Sequence, residues 1–587
     1  MEMTVALIIA PLFAAAALLL LPGTKAQYAV VSLFGGTLVL LSVLLFFEDD
    51  IAFAMPPLLH NAVVAADVVL LLFFVWQGVR FSSPPVTALA LLQLLLFAAA
   101  EALSPAALSP EFIADDLSKL MFGIVNIVGT LIVLYAVRYM AFETMSPFRK
   151  RLFLAYLFVF LSVMNTLVIA NSILLFFFLF EMTTLASYLL IRFRQDEVAQ
   201  RNALRALWMN QVGGAAILLA ALIAATQFHT LEFDVLLASS GDHLLLGIAL
   251  LCMAAFVKAA AMPFDGWLLG AMVAPTPVSA MLHSATMVKI APFMILKFSP
   301  VLTGTLLGGV VSATGALVFA AAAYLALSRE LFKEILGYST IALLGLMMSL
   351  AAVGTEAGMQ VAMVLMGFHA LSKALLFLSA GVLEKHHGMK RVESMKGLIQ
   401  VAPKSVAFII LGFVSLTLPP FGIFMGKLFA IELIASQMEQ APWLAVILLG
   451  IVVGSIVLTL LYFKIVAALL SKGADLDVWP RERLTFGFGL PLVLLASLIL
   501  AATASLLSMQ RDTTLFFMAI PLAVAAALPW LLRRLDRFDR TGEYHCGEKE
   551  GFDAALFYYG SGRAGRRRLY LLFGLLFAAV GMSGVFS

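Results

Sequence analysis

Charge is scarce in this chain. Of its 587 residues only 12% are Asp, Glu, Lys or Arg, about half the share usual for a soluble protein. That excludes a soluble globular domain of this length. Cysteine is nearly absent, with Cys252 in an apolar run and Cys546 in a polar stretch. No CxxC occurs, so neither a disulfide framework nor a cysteine metal cluster is expected. Glycine-rich phosphate loops of the GxGxxG or GxxxxGK[ST] type are also missing. Iron–sulfur, haem, flavin and nickel ligands are not recognisable, and no cofactor is expected. No nucleic-acid partner is expected either. The first apolar run, Met3 to Leu21, lacks a basic leader region and reads as a retained span.

Long apolar runs take the place of what is missing. Hydrophobic residues make up 63% of the chain, and mean hydropathy is +1.05. About 18 runs of spanning length follow one another: near 3–22, 29–47, 63–80, 86–103, 117–140, 152–170, 171–191, 204–226, 244–264, 272–296, 304–328, 332–353, 358–384, 404–436, 443–470, 487–508, 513–533 and 569–586. Backbone polar groups in lipid must be satisfied within the segment, so these runs are helices. They lack the short alternation of barrel strands. The fold class is an all-α polytopic membrane protein with about 16–18 transmembrane helices.

Loop charges alternate along this order. Basic loops at Arg149 to Arg151, Arg192 to Arg201, Arg329 to Lys333, Lys385 to Lys404, Lys472 to Arg483 and Arg533 to Arg568 alternate with acidic or neutral ones at Glu48 to Asp50, Glu111 to Asp116, Glu232 to Asp242, Glu356 and Glu439. Arg511 is the exception, beside Asp512. The positive-inside rule places both termini outside the cytoplasm of a bacterial or archaeal cell, in a multi-pass plasma-membrane protein. Three regions are expected: N-terminal helices at 1–114 with a two-helix insertion, a core at 115–470, and C-terminal helices at 471–587 with a cytoplasmic loop near 535–568.

Ionisable residues inside spans are costly, at about 2.5–3.5 kcal/mol each on the insertion scale, and mark function by default. Here they form a series: Glu181, Lys258, His283, Lys289, His369, Lys373 and Lys427. Each has a structural reading. Glu181 and Lys258 fit a packing ion pair, His283 a core histidine, and Lys289 a snorkelling lysine. Glu432 lies near a helix end, and Asp116 and Lys119 at a span boundary. So many cations facing lipid would not insert, so the series is expected to face a shared interior. Burial lowers a lysine pKa and a nearby carboxylate raises it again, so a Glu–Lys pair that opens and closes is a proton switch. His369 and Lys373 are four apart and share a helix face. Pro263 follows Lys258, and Pro419-Pro420 precedes Lys427. Helix breakers beside buried lysines, found twice, suggest two repeated halves near 152–296 and 304–470.

The stretch KAAAMPFDGWLLGAMVAPTPVSAMLHSATMVK at 258–289 resembles the signature of the antiporter-like subunits of respiratory complex I, of Mrp-type antiporters and of energy-converting hydrogenases. DDLSKLMFGIVNIVGTLIVLYAVRYM at 115–140, LFEMTTLASYLLI at 179–191, LFKEILGYSTIALLG at 331–345, HALSKALLFLSAG at 369–381 and PPFGIFMGK at 419–427 are similar too. The resemblance spans 115–470 and implies two inverted five-helix repeats with broken helices. It implies that Glu181 is the carboxylate of the first half and Lys258 its partner. His283 and Lys289 match the next relay positions, Lys373 with His369 the central lysine, and Lys427 the terminal group. Gly213-Gly214 departs from the aspartate that some members carry. The C-terminal region is too short and glycine-rich for the long lateral helix of the largest complex I member, while YHCG at 544–547 is similar to an element of hydrogenase-type subunits.

The resemblance implies a proton- or Na⁺-translocating subunit, not itself the redox catalyst. It would work with other membrane subunits and a peripheral redox module of a complex I-like or hydrogenase-type complex. The alternatives are an Mrp-type Na⁺/H⁺ antiporter subunit, the ion-driven membrane partner of an inorganic-carbon uptake system, and a non-pumping scaffold.

Overall fold

A computed structural model describes residues 1–241, 243–439, 441–471, 482, 484–509, 570, 572 and 573. Among these, fifteen helices are long and apolar enough to cross a membrane, and a shorter apolar helix covers Leu244–Lys258. The first sixteen sequence runs each correspond to one of these sixteen segments. The last two runs, the 535–568 loop, YHCG and Cys546 lie outside the described residues. The protein is an all-helical, multi-pass membrane protein.

The core is two sets of five helices. The first comprises Pro147–Leu167, Ile173–Ile191, Glu197–Ile223, the broken helix Leu244–Lys258 with Asp265–Gly270, and Thr276–Leu302. The second comprises Leu306–Leu327, Phe332–Val353, Glu356–His387, the broken pair Pro403–Thr417 and Gly422–Gln437, and Leu444–Leu470. An odd number of spans makes the second set start from the opposite face, so the repeats are inverted. In each set the fourth helix is the broken one. Phe332–Val353 is buried along its whole spanning window.

Both breaks fall where the sequence places prolines. Leu244–Lys258 ends before Met262-Pro263, and Pro403–Thr417 ends before Pro419-Pro420; both proline peptides are cis. A third irregularity had no such marker. Within Thr276–Leu302 the backbone passes through a π-turn at Met281–Ala285 and a 3₁₀ turn at Met287–Lys289. The helix restarts at Ile290 with Pro292 in its first turn, where a missing N–H costs nothing.

The helices before the core sit at the edge. Only 22–33% of each of the first four spanning windows is buried, against 83% for Asp116–Ala141. The third and fourth, Pro57–Arg80 and Pro84–Ala102, form a hairpin. The chain enters and leaves it through a two-stranded antiparallel ribbon, Ile51–Phe53 with Phe112–Ala114. Phe53 and Phe112 stack across it at 4.9 Å between ring centres. Lys119 pins the same junction, 3.0 Å from both Asp50 and Asp116, which fits its boundary reading. Glu432 is exposed.

Candidate functional site

All seven candidate residues are buried. Glu181 lies midway along Ile173–Ile191. One carboxylate oxygen, Oε1, accepts a hydrogen bond of 2.9 Å from Gln93 Nε2, which also donates to the Gln211 carbonyl. Its other oxygen has no protein partner. Gly214 borders this carboxylate so closely that a Cβ there would lie 1.9 Å from Oε1. The glycine at the departure from the aspartate pattern is therefore the floor of the Glu181 site.

Lys258 is the last residue of its helix, where a cation meets the negative end of the helix dipole. It is not ion-paired with Glu181. Its Nζ donates to the Phe180 carbonyl and to Thr184 Oγ1, each at 3.1 Å, and stands 3.7 Å from the centre of the Phe180 ring. The neighbouring break is closed by Trp267, whose indole N–H donates to the Val257 carbonyl at 3.0 Å. The packing ion pair that the sequence allowed is thus replaced by two separated groups on two helices, close enough to interact electrostatically.

His283 sits in the π-turn, its ring 4.8 Å from that of Phe377, with neither ring nitrogen bonded to protein. Lys289, in the following 3₁₀ turn, does not snorkel: its Nζ meets His369 Nδ1 on Glu356–His387. A contact between two bases holds one shared proton, because one nitrogen must accept. One turn on, Lys373 donates to the Leu336 carbonyl at 3.2 Å and to Ser339 Oγ. This repeats the Lys258 arrangement, a lysine gripping a carbonyl and a hydroxyl on the second helix of its half. His283, Lys289, His369 and Lys373 form one electrostatic cluster. Lys427 lies apart from these contacts, beyond the second break, 6.0 Å from the Phe424 ring centre.

Several participants were not among the sequence candidates. Thr184 and Ser339 carry no signal, since buried hydroxyls are common on helices. Gln93 and Asp67 do: each is a strongly polar residue in an otherwise apolar run. Asp67 is buried, and neither of its oxygens has a protein partner. At the end carrying the basic loops, Glu143 takes Lys385 at 2.8 Å and Arg194 at 3.3 Å. Burial alone would raise its carboxyl, but these two cations hold it below the usual carboxylate range. Lys333 pairs with Glu384, which also accepts from Thr276 Oγ1 at 2.9 Å.

Residues 170–459 match the family described as NADH:quinone oxidoreductase/Mrp antiporter, TM, and residues 103–148 match the complex I chain 5 N-terminus family. Together the matches cover more than half of the chain. It is 34% identical over 296 residues to a probable K⁺/H⁺ antiporter subunit of Rhizobium meliloti, covering 49% of this chain and 29% of that one. It is 31% identical over 367 residues to an Na⁺/H⁺ antiporter subunit of Alkalihalophilus pseudofirmus, covering 57% and 45%. The chain thus spans less than half the length of these two relatives. Its fold matches a chain of the Mrp complex from Dietzia sp. at TM-score 0.68 and 23% identity, covering all of this chain and 56% of that one. It matches a chain of an archaeal membrane-bound sulfane sulfur reductase at TM-score 0.64 and 18% identity, covering 91% and 100%. The chain belongs to the antiporter-like membrane-subunit family shared by complex I and the Mrp antiporters.

Proposed function

We propose that this chain is an ion-translocating subunit of a multisubunit membrane complex, and that Glu181, Lys258, His283, Lys289, His369, Lys373 and Lys427 relay protons through it. The observation that carries this reading is the burial of seven titratable groups in one core, with Lys289 and His369 in contact across two helices. Lipid burial of such groups is too costly to persist without use. The Glu181–Lys258 switch is open as seen. Closing it brings Lys258 from Phe180 and Thr184 to Glu181 Oε2, the oxygen without a protein partner, while Oε1 can keep Gln93. The region 115–470 would be the translocating core, with 1–114 and 471–587 as additions; the family matches at 103–148 and 170–459 support that division.

Two driving forces fit. A peripheral redox module is favoured by the fold likeness to the sulfur reductase chain. Exchange against Na⁺ or K⁺ is favoured by the names of the antiporter relatives. Co-purified partners separate them: iron–sulfur subunits indicate the first, small multi-span subunits alone the second, and a large zinc protein the carbon-uptake alternative. The relay itself is tested by proton translocation in membrane vesicles holding the intact complex. Lys258→Met and Lys373→Met should each abolish it. Wild-type translocation by either variant defeats the relay.

A further inference from the structure

The hairpin Pro57–Ala102 does more than cover the core. Its lipid-facing side is apolar, with Val69, Leu72, Trp76 and Leu95 exposed. Its inner side carries three buried polar residues, Asp67, Gln77 and Gln93. Gln77 accepts from Tyr188 at 2.8 Å and Gln93 donates to Glu181, both on Ile173–Ile191. Between the hairpin and the start of that helix lies a cavity of about 330 Å³. It opens toward the acidic loops, the side that the charge rule places outside the cytoplasm, and has room for several waters.

Four carboxylates line this cavity: Asp67, Glu101, Glu111 and Glu232. Three have protein partners. Glu101 faces His60 at 4.0 Å, Glu111 accepts the Met55 N–H at 2.8 Å, and Glu232 accepts the Thr230 hydroxyl at 2.6 Å. Asp67, near the middle of its helix, is only 1% exposed, and both of its oxygens lack a protein partner. It lies within electrostatic range of Glu101 toward the mouth and Glu181 toward the core. The nearby oxygens Glu181 Oε2 and Gln93 Oε1 also lack protein partners. A buried carboxylate with no partner destabilises the fold. Here it stands between a polar cavity and the first group of the relay.

We propose that the hairpin builds a proton inlet on the outer side, in which Asp67 exchanges protons between the acid-lined cavity and Glu181. This rests on the relay reading above. The Asp67 carboxylate takes a proton from hydronium in the cavity, leaving water. The resulting carboxyl passes that proton through water to the Glu181 carboxylate, and Asp67 returns to its anionic form. No bond other than O–H is made or broken.

The test uses vesicles holding the intact complex and a pH-sensitive dye, driven by whichever supports proton movement in the wild type: an electron donor or an imposed Na⁺ or K⁺ gradient. Asp67→Asn should lower proton translocation at least tenfold with normal assembly, and Asp67→Glu should restore most of it. Wild-type proton translocation by Asp67→Asn overturns the inlet, including when only Na⁺-dependent transport changes. A second variant avoids dependence on folding of Asp67→Asn. Asn61→Cys lies exposed at the cavity, and the native Cys252 is buried. In a Cys546→Ser background, a bulky water-soluble thiol reagent added from outside should block translocation. Full labelling with undiminished translocation overturns the inlet. The two readings fail differently. A wild-type complex that moves no protons under either driving force defeats the relay. A pumping complex that stops with Lys258→Met but not with Asp67→Asn defeats the inlet alone.

Discussion

Gly214 holds open the space that the Glu181 carboxylate fills. A Cβ at this position would lie 1.9 Å from Glu181 Oε1 and 2.4 Å from Gln93 Nε2. Gly214→Ala suits the helix by propensity, by about 1 kcal/mol. It must nevertheless part Glu181 from Gln93, and a hydrogen bond to a charged group contributes about 1.5–3 kcal/mol. The expected outcome is a tenfold or greater loss of translocation in vesicles with normal assembly. Gly213→Ala faces the Phe180 ring edge at 3.0 Å and a Val257 methyl at 3.4 Å, and should be mild. Equal losses in both variants would show that the Glu181 cradle is not the cause. At this scale the sequence was legible where the cost was electrostatic. A Glu, four Lys and two His in apolar runs announce themselves. The partners Thr184 and Ser339 do not, because their value depends on which helix lies opposite. The glycine pair showed only as a missing aspartate, since the Gln93 that crowds it comes from a distant helix.

The broken helices show what an element must supply when it stops inside a membrane. Carbonyls at the end of Leu244–Lys258 lose their helical donors. Trp267, from the short helix after the break, gives the Val257 carbonyl an indole N–H at 3.0 Å beside the Ala260 N–H at the same distance. Trp267→Phe keeps the packing and leaves the Val257 carbonyl without that donor. Because the Ala260 N–H remains, it should lower unfolding stability in detergent by about 0.5–1.5 kcal/mol. An unchanged thermal midpoint would show that the Ala260 N–H alone satisfies this carbonyl. Prolines made both fourth-helix breaks legible, because a missing N–H is a local property. The third irregularity, around His283 and Lys289, was not. A π-turn depends on packing from neighbours, and Pro292 marked only where the helix resumes.

Across the whole molecule, the two halves are tied at the end bearing the basic loops. Glu143 bridges Arg194 of the first half and Lys385 of the second. Its carboxyl is held below the usual range, so its contribution to stability is present above the ordinary glutamate pKa of about 4.3 and is lost as pH falls through the lowered value. Glu143→Gln should therefore melt earlier than wild type at neutral pH, and the gap should close only below the ordinary glutamate range. A gap that does not change with pH would show that the ion pairs are not its source. Among the described residues the order and number of spans were legible at this scale from hydropathy alone. The place of the hairpin was not: its apolar composition suits a peripheral addition, and only the packing shows that Asp67, Gln77 and Gln93 face inward. The pairings found in the interior also have an order in time. A chain is made from its N-terminus, so Glu181, Lys258, His369 and Lys373 each enter the membrane after the residues that receive them, while Lys289 enters ahead of His369. Gln93 precedes Glu181; Phe180 and Thr184 precede Lys258; Lys289 precedes His369; Leu336 and Ser339 precede Lys373. During biosynthesis each of these four costly groups finds its receiving residue already inserted, and the ribosome never has to deliver one of them into bare lipid.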